Sequence, residues 1–257
     1  MSSRYLDAVI INASYILTRS VPLMVAPSVD RHRALAFCTQ YRRRGIALML
    51  QKGEAAGLHR DLQHSGAAYA AFLKRAEYAD KTASKAAPFF DAVACGDLAI
   101  SRSIAERVAS SLHADQEYED DFLYIRWLMG RFVLGWDSAV LAAMLTRYEA
   151  LLDGAEDARF LICQSFDKSD PVLFDSALRT LIEMREDDYA SSMEAEQIVE
   201  ENWATEGKVF IEAVALLRFA ASLGFDLESD YMFVPSLVLS TQSASFDSGS
   251  WTNCDAP

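Results

Sequence analysis

The sequence predicts an all-α fold, an irregular bundle or array of about nine or ten mostly antiparallel helices, read from start and stop signals. Three observations carry that prediction. Gly and Pro are scarce, 11 and 6 among 257 residues, whereas a β-sandwich or barrel of this length uses more turn residues. No short Val/Ile runs alternate with helical segments, as a parallel sheet requires. Apolar residues recur instead at three- and four-residue spacing. The composition, 51% hydrophobic and 24% charged, is globular, and a chain this long buries well over half of its unfolded surface without needing disulfides or metal.

The first helix is expected over residues 4–18, ended by the segment 22–27 with its two prolines. The apolar stretch 5–25 has one basic residue before it and is broken by Asp7, Asn12, Thr18 and Arg19. It also lacks a small-residue cleavage site, so it reads as part of the fold and not as a targeting segment. No run of membrane-spanning length is expected, since the most apolar, 122–136, contains Arg126 and Arg131. Ser28 or Asp30 caps a second helix with Phe37, Cys38, Tyr41 and Ile46 inward, closed at Gly53. A third runs over 54–79. Pro88 opens a fourth to residue 95, and Gly96-Asp97 starts a fifth.

After the acidic loop 113–118, residues 120–134 are apolar nearly all round, the mark of a buried central helix. Asp137 caps a helix over 138–152 closed by Gly154, and a shorter one follows over 156–166. Asp170-Pro171, an N-cap with Pro at N1, starts another that carries Phe174, Leu178 and Leu181. The segment 187–204 is polar with helical propensity. A last apolar helix spans 206–223 with Gly224 as its C-cap. Residues 231–239 are expected extended around Pro235, and 240–257, rich in Ser, Thr, Asp and Gly, disordered. Residues 1–239 thus form one helical domain, whose only candidate boundary is the 113–118 loop.

Charge is divided unevenly. Through Leu112 there are 15 Lys+Arg against 9 Asp+Glu, and from His113 onward 9 against 28. The acidic residues cluster at Asp115, Glu117, Glu119, Asp120 and Asp121, at Glu183, Glu186, Asp187 and Asp188, and over 194–206. Such a field repels nucleic acid and anionic membranes and steers a basic protein partner. The first two clusters are the predicted partner-binding surface. Arg42-Arg43-Arg44, with one aromatic beside it, reads as an exposed helix turn or a contact to the acidic half.

Signals for chemistry are missing. Cys38, Cys95, Cys163 and Cys254 are far apart with no C-x-x-C pair, which argues against zinc and disulfides and suits a reducing, cytoplasmic setting. His59 and His64 are five apart, on different helix faces. Asp167, Asp170 and Asp175 superficially resemble a calcium loop, but Pro171 breaks the ligand spacing and the central Gly is absent. There is no nucleophile elbow, P-loop or dinucleotide-binding turn. The carboxylate pairs Glu183/Asp187 and Glu196/Glu200 sit at i,i+4, where a solvated face outweighs an acid/base pair. No catalytic residue, metal site or cofactor is expected.

Near the C-terminus, "GKVFIEAVALLRFAASLGFDLE" followed by "SDYMFVPSLVL" resembles the closing segment of the immunity protein 49 family, helical proteins encoded beside bacterial polymorphic and type VI-secreted toxins. The resemblance rests on Phe219, Ala220, Gly224, Asp230, Tyr231 and Pro235, with residues 166–189 similar to the family's penultimate helix. It covers the last third of the chain, and Met232-Phe233-Val234 is an insertion relative to the family pattern. It implies a non-catalytic protein that neutralises one cognate toxin by direct binding, and the charge division adds the expectation that this toxin is basic, such as a nuclease effector. From the residues alone, a helical adaptor or a helical enzyme without recognisable motif are the alternatives.

Overall fold

The computed structural model describes residues 3–195, 197–227, 230–240 and 246–254. They form helices α1 (Ser3–Val25), α2 (Arg31–Lys52), α3 (Ala56–Leu73), α4 (Ala87–Ala94), α5 (Leu98–Ala105), α6 (Glu119–Met129), α7 (Ser138–Leu152), α8 (Ala158–Lys168), α9 (Pro171–Glu194), α10 (Glu200–Ala204), α11 (Ile211–Ser222) and α12 (Ser236–Ser240). Among the described residues there is no strand, only an isolated bridge between Tyr231 and Val234. The all-α class stands.

Local chemistry sets most boundaries. The Asp30 carboxylate accepts from the Arg33 amide at 2.8 Å to start α2, and Gly53 ends it in the left-handed region at φ 70°. Asp97, Asp157 and Asp170 cap α5, α8 and α9 in the same way.

Six expectations are corrected. α1 runs seven residues past Thr18, through Pro22 to Val25. Pro22 sits in the exposed last turns, where its missing N–H removes one hydrogen bond and its ring meets solvent. The Tyr5–Val25 part is in fact long and apolar enough to cross a membrane by length and composition, and only 22% of its most apolar window is buried. It lies along α2, burying Leu6, Val9 and Ile10 against Ala47 and Leu48 and leaving Ile11 (66%), Tyr15 (65%) and Leu23 (56%) exposed.

The helix predicted to 134 changes at Gly130 into a π-helical turn (Gly130–Leu134). The Trp136 ring packs so closely on Gly130 that a Cβ would stand 2.2 Å from Cε3. α11 begins at Ile211, because the Phe210 amide is drawn off to the Phe233 carbonyl at 2.8 Å. Residues 231–239 make a turn and then α12.

The sixth correction concerns the tail. Residues 246–254 fold back onto α2 and α3, while 241–245 and 255–257 lie outside the described residues. Trp251 packs edge-on against Phe37 with ring centroids 5.9 Å apart, and the Tyr41 hydroxyl donates to the Trp251 carbonyl at 2.5 Å. An aromatic side chain that buries this much area outweighs the disorder propensity of the Ser- and Asp-rich residues around it.

One core runs across the 113–118 loop. Phe132 of the π-helical turn stacks on Phe219 of α11 (4.1 Å, 9°), Phe219 meets Phe89 of α4, and Phe166 of α8 meets Phe174 of α9. Two ion pairs are enclosed beside it. Arg44 forks onto Asp61 of α3 at 2.7 and 2.8 Å and donates to the Cys254 carbonyl at 3.1 Å. Arg42 forks onto Asp91 of α4 at 2.7 and 2.9 Å.

Asp61→Asn leaves the Arg44 charge buried without a counterion, so we expect a loss of about 3–5 kcal/mol in urea unfolding, with most of it regained when Arg44 is also replaced by Met. His59 offers a pH test. Burial, with the nearby Arg218 charge, holds its proton affinity below the ordinary histidine value. The unfolded chain therefore protonates first as pH falls, so stability holds above about pH 6.5 and declines below it. The urea midpoint should drop between about pH 7.5 and 5.5 in the wild type and drop less in His59→Asn.

Candidate functional site

The two predicted acidic clusters meet different fates. In the first, Glu117 is buried: its carboxylate accepts from the Ser84 amide at 2.9 Å and the His113 amide at 3.1 Å, tying the 113–118 loop to the segment before α4. It is therefore removed from the predicted surface. Glu119 forks onto Arg147 of α7 at 2.6 and 2.7 Å, and those hydrogen bonds hold its carboxyl below the usual range. Asp121 pairs with Arg159 of α8 at 3.1 Å, but burial outweighs the guanidinium and pushes its carboxyl up. Asp120 is half-buried and Asp115 is exposed. Most of this cluster is spoken for within the fold.

The second cluster is not. Glu183, Glu186, Asp187 and Asp188 are all exposed on α9. Among the described residues none has a cation at ion-pair distance. The cause is in the helix pattern: the buried residues of α9 are Phe174, Ala177, Leu178, Leu181 and Ile182, all in its first half. Beyond them the helix leaves the core and its carboxylates face solvent. Glu196 of the Glu196/Glu200 pair lies outside the described residues.

Beside α9 runs a cleft that sequence reasoning missed. One part, about 170 Å³, is lined by Arg42, Phe90, Glu206 and Val209; a second, about 260 Å³, by Asp157, Arg159, Leu181, Met184 and Asp188. Arg185, Tyr189, Phe210 and Glu212 wall both. The Arg185 guanidinium lies over Tyr189 at 4.3 Å and Phe210 at 4.4 Å and donates to the Glu206 carbonyl. No carboxylate neutralises it at ion-pair distance among the described residues. On one side Glu206 accepts from Arg42 at 3.0 Å and Arg43 at 3.2 Å. On the other, Glu212 accepts from Arg159 at 3.3 Å and from the Tyr124 hydroxyl at 2.9 Å. The i,i+4 pair Arg185/Tyr189 was the available sequence signal. Phe210 reaches the cleft only through the extended backbone before α11, which no periodicity marks.

The arginine run is thus neither an exposed turn nor a nucleic-acid patch. Arg42 and Arg43 do reach the acidic half, at Glu206, and Arg44 stays with Asp61.

One constellation has the order of a nucleophile, base and acid. The Ser250 hydroxyl is 3.2 Å from His64 Nε2, and His64 Nδ1 is 3.7 Å from Asp61. The second distance exceeds a hydrogen bond, both Asp61 oxygens already accept from Arg44, and Ser250 donates to the Asp247 carbonyl at 2.7 Å. The group anchors the tail. All four cysteines are buried, and burial pushes the Cys38 thiol up to about 12, far from a reactive thiolate. Asp170 and Asp175 serve as an N-cap and as an acceptor for Arg179 and Tyr231. Among the described residues no cluster could hold a metal ion.

Compared with known proteins, the chain matches no family model, no curated protein and no solved structure.

Because the α9 carboxylates touch nothing, replacing Glu183, Glu186, Asp187 and Asp188 by their amides should leave stability within about 0.5 kcal/mol of the parent. Replacing Glu119 by glutamine should lower it measurably, since that breaks the hydrogen-bonded pair with Arg147. Paired urea titrations read both.

Proposed function

We propose that the chain is an immunity protein that neutralises a basic bacterial toxin, of the nuclease type, by direct protein–protein binding. The observation that carries this reading is the outer face of α9. It presents four exposed carboxylates with no cation at ion-pair distance among the described residues, and one of them, Asp188, lines a cleft walled by Tyr189 and Phe210. Charges left unpaired on a helix of a strongly acidic chain make a field that attracts a cationic surface and repels phosphate. An enzyme that binds nucleic acid carries a basic groove, and a carboxylate-studded helix with aromatic groups beside it suits such a groove as a substrate-like occupant. The C-terminal resemblance points the same way, and on this reading the protein acts in the cytoplasm of the cell it protects.

An adaptor reading draws on a different observation, the exposed apolar side of α1 with Ile11, Tyr15 and Leu23. A patch of this kind serves a protein partner of apolar character and gives no role to α9.

Co-expression with the protein encoded beside this one separates the two. Host survival together with a co-purifying complex is the expected outcome. A harmless neighbour and no complex would move the assignment to the adaptor. Within the complex, converting the four α9 acids to amides should slow association roughly ten- to a hundredfold at low salt and flatten its salt dependence. Unchanged kinetics would exclude α9 from the interface.

A further inference from the structure

From the cleft beside α9 we infer that its larger part is a receptor for a single cationic side chain, a lysine or arginine of the partner protein. The inference rests on the protein-binding reading and names the chemistry of one contact within it.

The argument begins with charge balance. Around the 260 Å³ cavity stand the carboxylates of Asp157, Asp188 and Glu212, with Asp121 joined to them through Arg159. Two guanidiniums, Arg159 and Arg185, face the same space. Arg159 is consumed by Asp121 and Glu212. Arg185 lies over two aromatic rings and donates to a main-chain carbonyl, so it keeps its charge, and the four carboxylates still outnumber the two guanidiniums. Asp188 lines the cavity, is exposed and has no cation at ion-pair distance among the described residues, and Glu183 and Asp187 of the same helix add to the excess. A further positive charge is what this cavity lacks.

Shape and apolar surface agree with charge. Leu181, Met184 and Phe210 line the wall, with Met184 half-exposed at 52%. A lysine or arginine has an apolar stem and a charged head. Its stem lies along Leu181 and Met184 while its head reaches Asp188. The site already displays its preference, because Arg185 shows that a guanidinium is accommodated between Tyr189 and Phe210. An anionic ligand meets the carboxylate excess, and a purely apolar one leaves Asp188 unanswered.

The test titrates the full chain, labelled at methionine methyls, with N-acetyl-arginine amide, N-acetyl-lysine amide and the neutral isostere N-acetyl-citrulline amide. Both cationic probes should shift the Met184 methyl saturably. Citrulline should bind at least about fivefold more weakly, as should arginine to Asp188→Asn, whose exposed position spares the fold. No Met184 shift, an equal response to citrulline, or an unaltered titration in Asp188→Asn would each overturn the inference. The wider reading fails separately. A toxin complex that forms equally well with Asp188→Asn keeps that reading and removes this pocket from it. Cation binding at Met184 without any protein partner keeps the pocket's chemistry and removes the reading.

Discussion

Three consecutive arginines in the middle of a helix cannot share one face, because successive side chains are turned by about 100° around the axis. In α2 they occupy three directions, and all three lead into protein. Arg42 points to Asp91 of α4, Arg43 to Glu206 before α11, and Arg44 to Asp61 of α3 and the carbonyl of Cys254. A guanidinium taken out of water needs a counterion in good geometry, and removing one partner costs more than the pair ever gained. The position of α2 therefore dictates the positions of α3, α4, the segment before α11 and the tail. The remaining helices pack around that arrangement through the aromatic cluster of Phe89, Phe132, Phe166 and Phe219.

The same constraint explains why the acidic face lies where it does. Cations in the interior and half-interior draw in Asp61, Asp91, Asp121, Glu206 and Glu212. The chain has 37 acidic residues and only 24 Lys and Arg, so once the arginines are engaged a surplus of carboxylate has no internal partner. Part of that surplus emerges on the second half of α9, which has left the core. The charge asymmetry of the sequence is not an asymmetry between two lobes. Glu206 and the arginines of α2 interlock the halves, and exposed carboxylates lie on α9 and also elsewhere, at Asp115, Glu149, Asp153 and Glu156 among others.

Much of this was legible in the residues. Helix starts carrying a side-chain cap, Asp30, Asp97 and Asp170, were readable because the cap is a local interaction. The second acidic cluster was readable as surface because α9 is poor in apolar anchors beyond Met184. What escaped depends on contacts distant in sequence. Glu117 looks like its neighbours until the backbone amides of Ser84 and His113 turn it inward. The tail reads as disordered by composition, yet Trp251 meets Phe37 and Tyr41 more than 200 positions away. The cleft is assembled from α2, α8, α9 and the residues before α11, and no window of sequence contains more than two of its walls.

On the proposed reading, the division between paired and unpaired carboxylates separates two roles in recognition. The exposed acids of α9 act at range: within a screening length of about 8 Å at physiological salt they bias the approach of a basic surface, and they do so for any such surface. The cleft acts at contact. Its cavity walls are fixed by the Arg159–Glu212 and Arg42–Glu206 pairs and by the Arg185 sandwich, so a group must fit between rigid partners to gain from them. Long-range attraction alone makes a promiscuous binder of cations. Specificity for one partner has to come from the second component, and it stands directly beside the first because Asp188 belongs to both.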